Sequence, residues 1–183
     1  MRIITGKARG TSLFTPKNYA VRPTADRVKE SIFNILAGEF ADARVLDAFA
    51  GTGNLGLEAW SRGAAEVTFV DRSRESLSLV RRNMEKCRAG GQCELWQGDV
   101  LEVVRRLAAS GRQYDCVFMD PPYRKNLVSS LLAALATVGI VRTGGFVVAE
   151  RGADEGALPP AEGFELWRTE KYGSTVIDFL RKL

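Results

Sequence analysis

Residues 120–123 read Asp-Pro-Pro-Tyr and follow the apolar run 116–119. Adjacent prolines have fixed φ angles and no N–H to donate. The Asp120 carboxylate and the Pro121 carbonyl are therefore held in set directions, and Pro122 stiffens the turn. Two aimed acceptors suit one kind of chemistry. The exocyclic amine of a nucleobase is a poor nucleophile because its lone pair is delocalised into the ring. Acceptors placed on its two N–H bonds localise that pair toward an incoming electrophile, which is orientation combined with preorganised electrostatics. Tyr123 offers a flat face on which the base can stack. A paired base would have to leave its helix to enter such a slot. The chemistry needs neither a metal nor a covalent enzyme intermediate. Once alkylated, the amine is acidic, and Asp120 or water can take its proton.

A second constellation lies upstream, in "LDAFAGTGNLG", where Gly51-x-Gly53-x-x-Gly56 follows an apolar run. The spacing matches a nucleotide-binding loop, and Asp71 lies 18 residues beyond Gly53, near the position of a ribose-binding acid. A tight packing turn, with Asp71 as a helix cap, is the plain alternative. Asp47 selects among ligands. It would repel a pyrophosphate, which seeks bare N–H groups, but it suits a cofactor carrying an ammonium and a sulfonium. S-adenosylmethionine carries both. The glycines then let the backbone approach its methionine part. Asp71 can accept the ribose hydroxyls, Asp99 the adenine amine, and the Val100 N–H can donate to the ring. A nicotinamide enzyme is the competing reading of the loop alone, and it would lack the histidine that many dehydrogenases use.

These residues need strands to carry them and helices to follow. Apolar segments at 44–50, 66–71, 93–99, 114–120 and 144–150 alternate with helical patterns at 54–63, 73–90, 100–111 and 126–139. The alternation predicts an α/β fold: a mostly parallel Rossmann-like sheet with helices on both faces. Ligands in such sheets lie beyond the carboxyl ends of the strands. Asp47, Asp71, Asp99 and Asp120 all fall at such ends and should converge on one cleft. Segments 164–173 and 174–183, joined at Gly173-Ser174, read as a C-terminal antiparallel hairpin. Residues 1–14 read as an N-terminal β-hairpin around Gly6 and Gly10, followed by a loop. A helix is expected from Asp26 to about Phe40, on Val28, Ile32, Phe33, Ile35 and Leu36. One domain spans 1–183, with 1–25 as a basic arm and 26–183 as the helix plus α/β core.

Composition removes other classes. The chain has no histidine, which excludes an imidazole base and makes a structural zinc unexpected. The three cysteines, Cys87, Cys93 and Cys116, lack metal spacing and read as reduced packing residues of a cytoplasmic protein. No run approaches the length of a membrane span, and no signal-peptide core opens the chain. The net charge of +4 is uneven: residues 1–30 carry seven basic and two acidic side chains, leaving −1 for the rest. This is either a solvated surface or a footprint for a nucleic-acid backbone. Trp60, Trp96 and Trp167 read as core, and Tyr172 has no assigned place.

Taken together, "RIITGKARG", "RPTADRVKESIFNIL", "LDAFAGTGNLGLEA" and "VFMDPPYRKN" resemble the RsmD family of bacterial ribosomal-RNA guanine-N2 methyltransferases, which are class I S-adenosylmethionine enzymes. The resemblance covers nearly the whole chain, and "RPTADRV" is its most family-specific part. It implies methylation of one guanine of 16S ribosomal RNA on the exocyclic nitrogen, with the small subunit or its RNA as partner, no metal and a monomeric enzyme. The family often has Phe where this chain has Tyr123; a phenol still stacks. The expected cofactor set is Asp47, Phe49, Gly51, Gly53, Asp71, Arg72, Asp99, Val100 and Asp120. The expected catalytic set is Asp120, Pro121, Pro122 and Tyr123. Arg2, Lys7, Arg9, Arg22, Thr24 and Arg27 are expected to face RNA; the alternative for Arg22 and Arg27 is local pairing with Asp26 and Glu30. The competing functions are a DNA adenine-N6 or cytosine-N4 methyltransferase, for which the chain has no length left for a target-recognition domain; a protein glutamine methyltransferase, which would leave the basic segment unexplained; and a non-catalytic RNA-binding module.

Overall fold

The computed structural model describes residues 1–16, 23–122 and 126–183, with 23–25 by backbone alone. Strands β1 (Arg44–Asp47), β2 (Glu66–Asp71), β3 (Cys93–Gln97), β4 (Tyr114–Met119), β5 (Val141–Gly152), β6 (Phe164–Tyr172) and β7 (Thr175–Lys182) form a seven-stranded sheet in the order β3-β2-β1-β4-β5-β7-β6. β1 to β5 pair in parallel. β7 pairs antiparallel with both β5 and β6, as the expected C-terminal hairpin. Helices α1 (Pro23–Ile35), α2 (Asn54–Ser61), α3 (Arg74–Cys87), α4 (Val100–Ala109) and α5 (Leu127–Val138) complete the described fold. No described helix is long and apolar enough to cross a membrane.

The central strands are apolar on both sides because helices cover both sides. On one face Val45, Phe69, Cys116, Phe118, Val148 and Phe179 pack with α1, α2 and α3. On the other, Leu46, Val70, Val117, Met119, Val147 and Leu180 pack with α4 and α5. The starts of α3 and α4 follow ordinary capping rules. The Ser76 N–H donates to Ser73 Oγ at 3.2 Å before α3, and the Leu101 N–H donates to Asp99 Oδ1 at 3.0 Å before α4.

Three expectations need correction. α1 spans Pro23–Ile35 and does not run to Phe40; turns replace it where Gly38 takes a φ of 90°, and Leu36 and Phe40 still reach the core. The N-terminal hairpin reduces to one antiparallel bridge, Arg2 with Ser12, held by the Ile3 N–H on the Thr11 carbonyl at 2.9 Å and the Gly10 N–H on the Ile3 carbonyl at 2.8 Å. Its pairing partners lie in the body of the molecule, so a longer ladder does not form. Trp60 is core, with Nε1 donating to Gln92 Oε1 at 2.8 Å, and Trp96 is half-buried. Trp167, however, stands at an irregularity in edge strand β6 and is 42% exposed, with its ring beside Phe146 and Phe179. Tyr172 gains a place, because its hydroxyl hydrogen-bonds Ser31 Oγ and ties the β6–β7 hairpin to α1.

Candidate functional site

β1 and β4 are neighbours, with Asp47 beside Phe118. From β1 the chain moves outward to β2 and β3; from β4 it moves the other way to β5. The two connections therefore part above the strand ends and leave a crevice at the switch point. The glycine loop forms one wall, and the Asp120-Pro121-Pro122 turn forms the other.

The loop is shaped by three glycines. Gly51 and Gly53 have φ angles of 53° and 77°, in the left-handed region that disfavours a side chain, and Gly53 caps α2. Gly56 meets a different need. A Cβ there would collide with the Phe69 ring and stand 3.0 Å from Val67 Cγ1. Carboxylates then hold the loop down. Asp47 Oδ2 accepts the Gly56 N–H at 3.0 Å. Asp71 Oδ2 accepts the Gly51 N–H at 2.9 Å, and its Oδ1 accepts the Ser73 N–H at 2.8 Å.

Asp47 is only 1% exposed. Burial pushes its carboxyl up to about 7, against the stabilising Gly56 N–H and with a further push from the charge of Asp71. Its first duty is thus internal, as a staple beneath the loop. Asp71 is half-buried, and the Gly98 N–H reaches its carbonyl at 3.1 Å, so the ends of β2 and β3 adjoin. Asp99 is exposed and keeps one oxygen outside its capping bond, while Val100 begins α4 with an N–H that has no partner inside the helix. Phe49 is half-buried against the α4–α5 side, and Arg72 is exposed.

Across the crevice, Asp120 retains solvent access while Pro121 is buried and Pro122 exposed. The surrounding protein, followed by the charges of Glu150 and Asp47, holds the Asp120 carboxyl well above the usual carboxylate range. Glu150 was not among the expected residues. The pairing of Met119 with Ala149 sets it beside Asp120. Its signal was present, since it ends the segment "GGFVVAE" as the other acids end theirs. Tyr123 and Arg22 lie outside the described residues, as does the side chain of Thr24.

Arg2, Lys7, Arg9 and Arg27 are exposed, with Lys7 Nζ 5.7 Å from the centre of the Trp60 ring. Lys29 is different. It is 1% exposed, and its Nζ lies 3.2 Å from Glu58 and donates to the Arg2 carbonyl at 2.5 Å and to Asn54 Oδ1 at 2.7 Å. Burial lowers its pKa, and the Glu58 carboxylate opposes that. Glu58 also accepts the N–H groups of Ile4 and Thr5, at 2.7 and 3.1 Å, and the Arg62 Nε–H at 2.9 Å. This buried network joins the N-terminal arm to α2 and has no local sequence signature.

Two pockets lie elsewhere: one of 220 Å³ between α5 and residues 159–162, and one of 560 Å³ between α1 and β6. Neither gathers acceptors at strand ends. At the strand ends Asp71 and Asp99 keep solvent access on the β2–β3 side and Asp120 and Glu150 on the β4–β5 side, with Asp47 buried beneath the loop. That donor set fits a cationic nucleoside cofactor and does not fit a pyrophosphate.

The chain is similar to known proteins over its whole length. The family described as conserved hypothetical protein 95 matches residues 1–181. A ribosomal RNA small subunit methyltransferase D of Escherichia coli K12 is 34% identical, covering 94% of this chain and 85% of that protein. Its namesake in Haemophilus influenzae is 32% identical, covering 97% of this chain and 90% of the relative. A solved structure from Thermus thermophilus, named as a hypothetical protein, superposes with a TM-score of 0.84 at 29% identity, covering 100% of this chain and 99% of the other.

Proposed function

The chain belongs to the RsmD family of methyltransferases, and on that footing we propose that it transfers a methyl group from S-adenosylmethionine to the exocyclic N2 amine of a guanine in small-subunit (16S) ribosomal RNA. One observation supports the reading: β1 and β4 are neighbours, so the carboxylate-stapled glycine loop and the Asp120-Pro-Pro turn leave adjacent strand ends. The cofactor, when bound, supplies an electrophilic methyl on a sulfonium.

The protein's residues do the remainder. Asp71 and Asp99 offer acceptors to the ribose and adenine, and Asp47 balances the positive charge. Asp120 and the Pro121 carbonyl take the two N–H bonds of the guanine amine and turn its lone pair toward the methyl. The elevated pKa of Asp120 makes it a stronger base than an ordinary aspartate. It is therefore suited to take the proton that the alkylated amine releases. Arg2, Lys7 and Arg9 lie on the exposed arm, where phosphate contacts would fix the RNA without reading its sequence.

The test is transfer of labelled methyl to small subunits that lack the modification, to naked ribosomal RNA and to duplex DNA. We expect methylation of subunits or RNA, mapped to guanine N2. Methylation of DNA alone would replace this reading with the DNA methyltransferase. Asp120→Ala should retain binding of S-adenosylhomocysteine and of the subunit, and should slow single-turnover transfer by on the order of a hundredfold. A near-normal rate would reduce the Asp-Pro-Pro segment to a structural turn.

A further inference from the structure

The N-terminal arm and the glycine loop are far apart in sequence, yet one side chain bonds both. Asn83, on α3, is fully buried. Its Oδ1 accepts the Phe14 N–H at 2.7 Å. Its Nδ2 donates to the Phe14 carbonyl at 3.0 Å and to the Thr52 carbonyl at 2.8 Å. Thr52 lies between Gly51 and Gly53, the left-handed residues of the loop. The hydroxyl of Thr52 also donates to Met1 Sδ, at 3.2 Å. The arm thus grips the loop near both of its own ends, at residues 1 and 14.

The remaining contacts make the arm a firm lever. Glu58 and Lys29 hold residues 2, 4 and 5. The Ser61 hydroxyl donates to the Thr5 carbonyl at 2.6 Å and accepts the Ala8 N–H at 2.9 Å. Gly6 packs so closely on the Ser61 carbonyl that no side chain fits there. Glu58 and Ser61 both belong to α2, the helix that the glycine loop opens. The face of the arm turned to solvent carries Arg2, Lys7 and Arg9.

We propose that Asn83 is a positioning residue that couples the two binding events: docking of RNA phosphates on the arm and binding of the cofactor at the glycine loop. The proposal rests on the methyltransferase reading above. Asn83 touches neither ligand. It acts by making the position of Thr52 depend on the position of Phe14. Coupling of this kind is reciprocal, so each ligand must tighten the other by the same factor. An amide suits the task. It meets one N–H and two carbonyls, whereas a carboxylate would oppose the carbonyls and an apolar side chain would leave all three groups unpaired.

The test measures S-adenosylhomocysteine affinity with and without bound undermethylated small subunits, and subunit affinity with and without S-adenosylhomocysteine. In the wild-type protein we expect the two factors to agree, at about fivefold or more. Asn83→Leu should bring both factors to one at a temperature where the variant is folded. A purely structural role would lower the melting temperature and leave the factors intact, and that outcome overturns the proposal. So does a wild-type factor of one. Hydrogen exchange on the wild-type protein removes any dependence on folding of the variant: S-adenosylhomocysteine should slow amide exchange in residues 1–16. Unchanged exchange there overturns the coupling while leaving the enzyme reading intact. A wild-type protein that binds no S-adenosylhomocysteine removes the methyltransferase reading, and the coupling falls with it.

Discussion

At the scale of single residues, Asp47 has the unusual chemistry. Burial raises its carboxyl to about 7. In the unfolded chain it would titrate near 3.8. Between those values the folded state holds more protons, so its favourable contribution to stability is full below the lower value and is lost as pH rises through about 7. Under the proposed reading cofactor binding has the opposite sign, because an ammonium placed beside Asp47 would need the carboxylate. We expect the dissociation constant of S-adenosylhomocysteine to fall as pH rises from 5 to 7, by at most about tenfold per unit, and then to level. In Asp47→Asn, calorimetry should show weaker binding with a flatter pH profile. A wild-type profile as flat as that of the variant would take Asp47 out of the cofactor's reach. The sequence marked Asp47 as a ligand-facing acid, but its staple to Gly56 depends on how α2 lies on the sheet. That is a tertiary fact which no local pattern carries.

At the scale of elements, the contact between α2 and β2 sets where the glycine loop stands. Gly56 lies flat on Phe69, and the Gly56 N–H anchors Asp47. Gly56→Ala should force the helix outward, at a stability cost of about 1–3 kcal/mol, the usual range for overpacking a filled core. Urea denaturation measures the loss, and S-adenosylhomocysteine titration should show weaker binding in parallel. Full stability would mean that the ring yields and that the glycine is not required by space. Strand and helix positions in the alternating region were legible because each segment bears its own periodicity, and α3 and α4 bear their own caps. Asp99, for example, both ends the β3 segment and caps α4. Elements that finish against distant partners were less legible. α1 stops early at a glycine turn, yet its apolar pattern continues through Phe40 because those turns still pack inward. The arm's strand-like sequence pairs with itself around a single Arg2–Ser12 bridge and gives other main-chain groups to α2 and α3. Trp167 looked like core because composition cannot tell an edge strand from a central one.

At the scale of the whole molecule, the question is where the excess positive charge resides. Residues 1–30 hold it on paper, but Lys29 is spent inside the protein on Glu58. The surface share belongs to Arg2, Lys7, Arg9 and Arg27 among the described residues. The arm is held by main-chain groups: the Arg2 carbonyl, and the N–H groups of Ile4, Thr5, Lys7 and Ala8. Its basic side chains can therefore be changed without cutting its attachments, apart from the loose contact of Lys7 with Trp60. If they meet phosphates, the affinity for subunits falls with salt by an amount set by the number of contacts. Each contact removed lowers the slope of log affinity against log salt by about 0.7–0.9. Replacing Arg2, Lys7 and Arg9 together by Gln should thus flatten that slope by about two units and weaken binding most at low salt. Affinity for S-adenosylhomocysteine without RNA serves as the control for a correctly held arm. Filter binding or fluorescence anisotropy across a salt series gives both quantities. A slope equal to that of the wild-type protein would make the basic arm a solvated surface and move the search for the RNA-binding face to another part of the molecule.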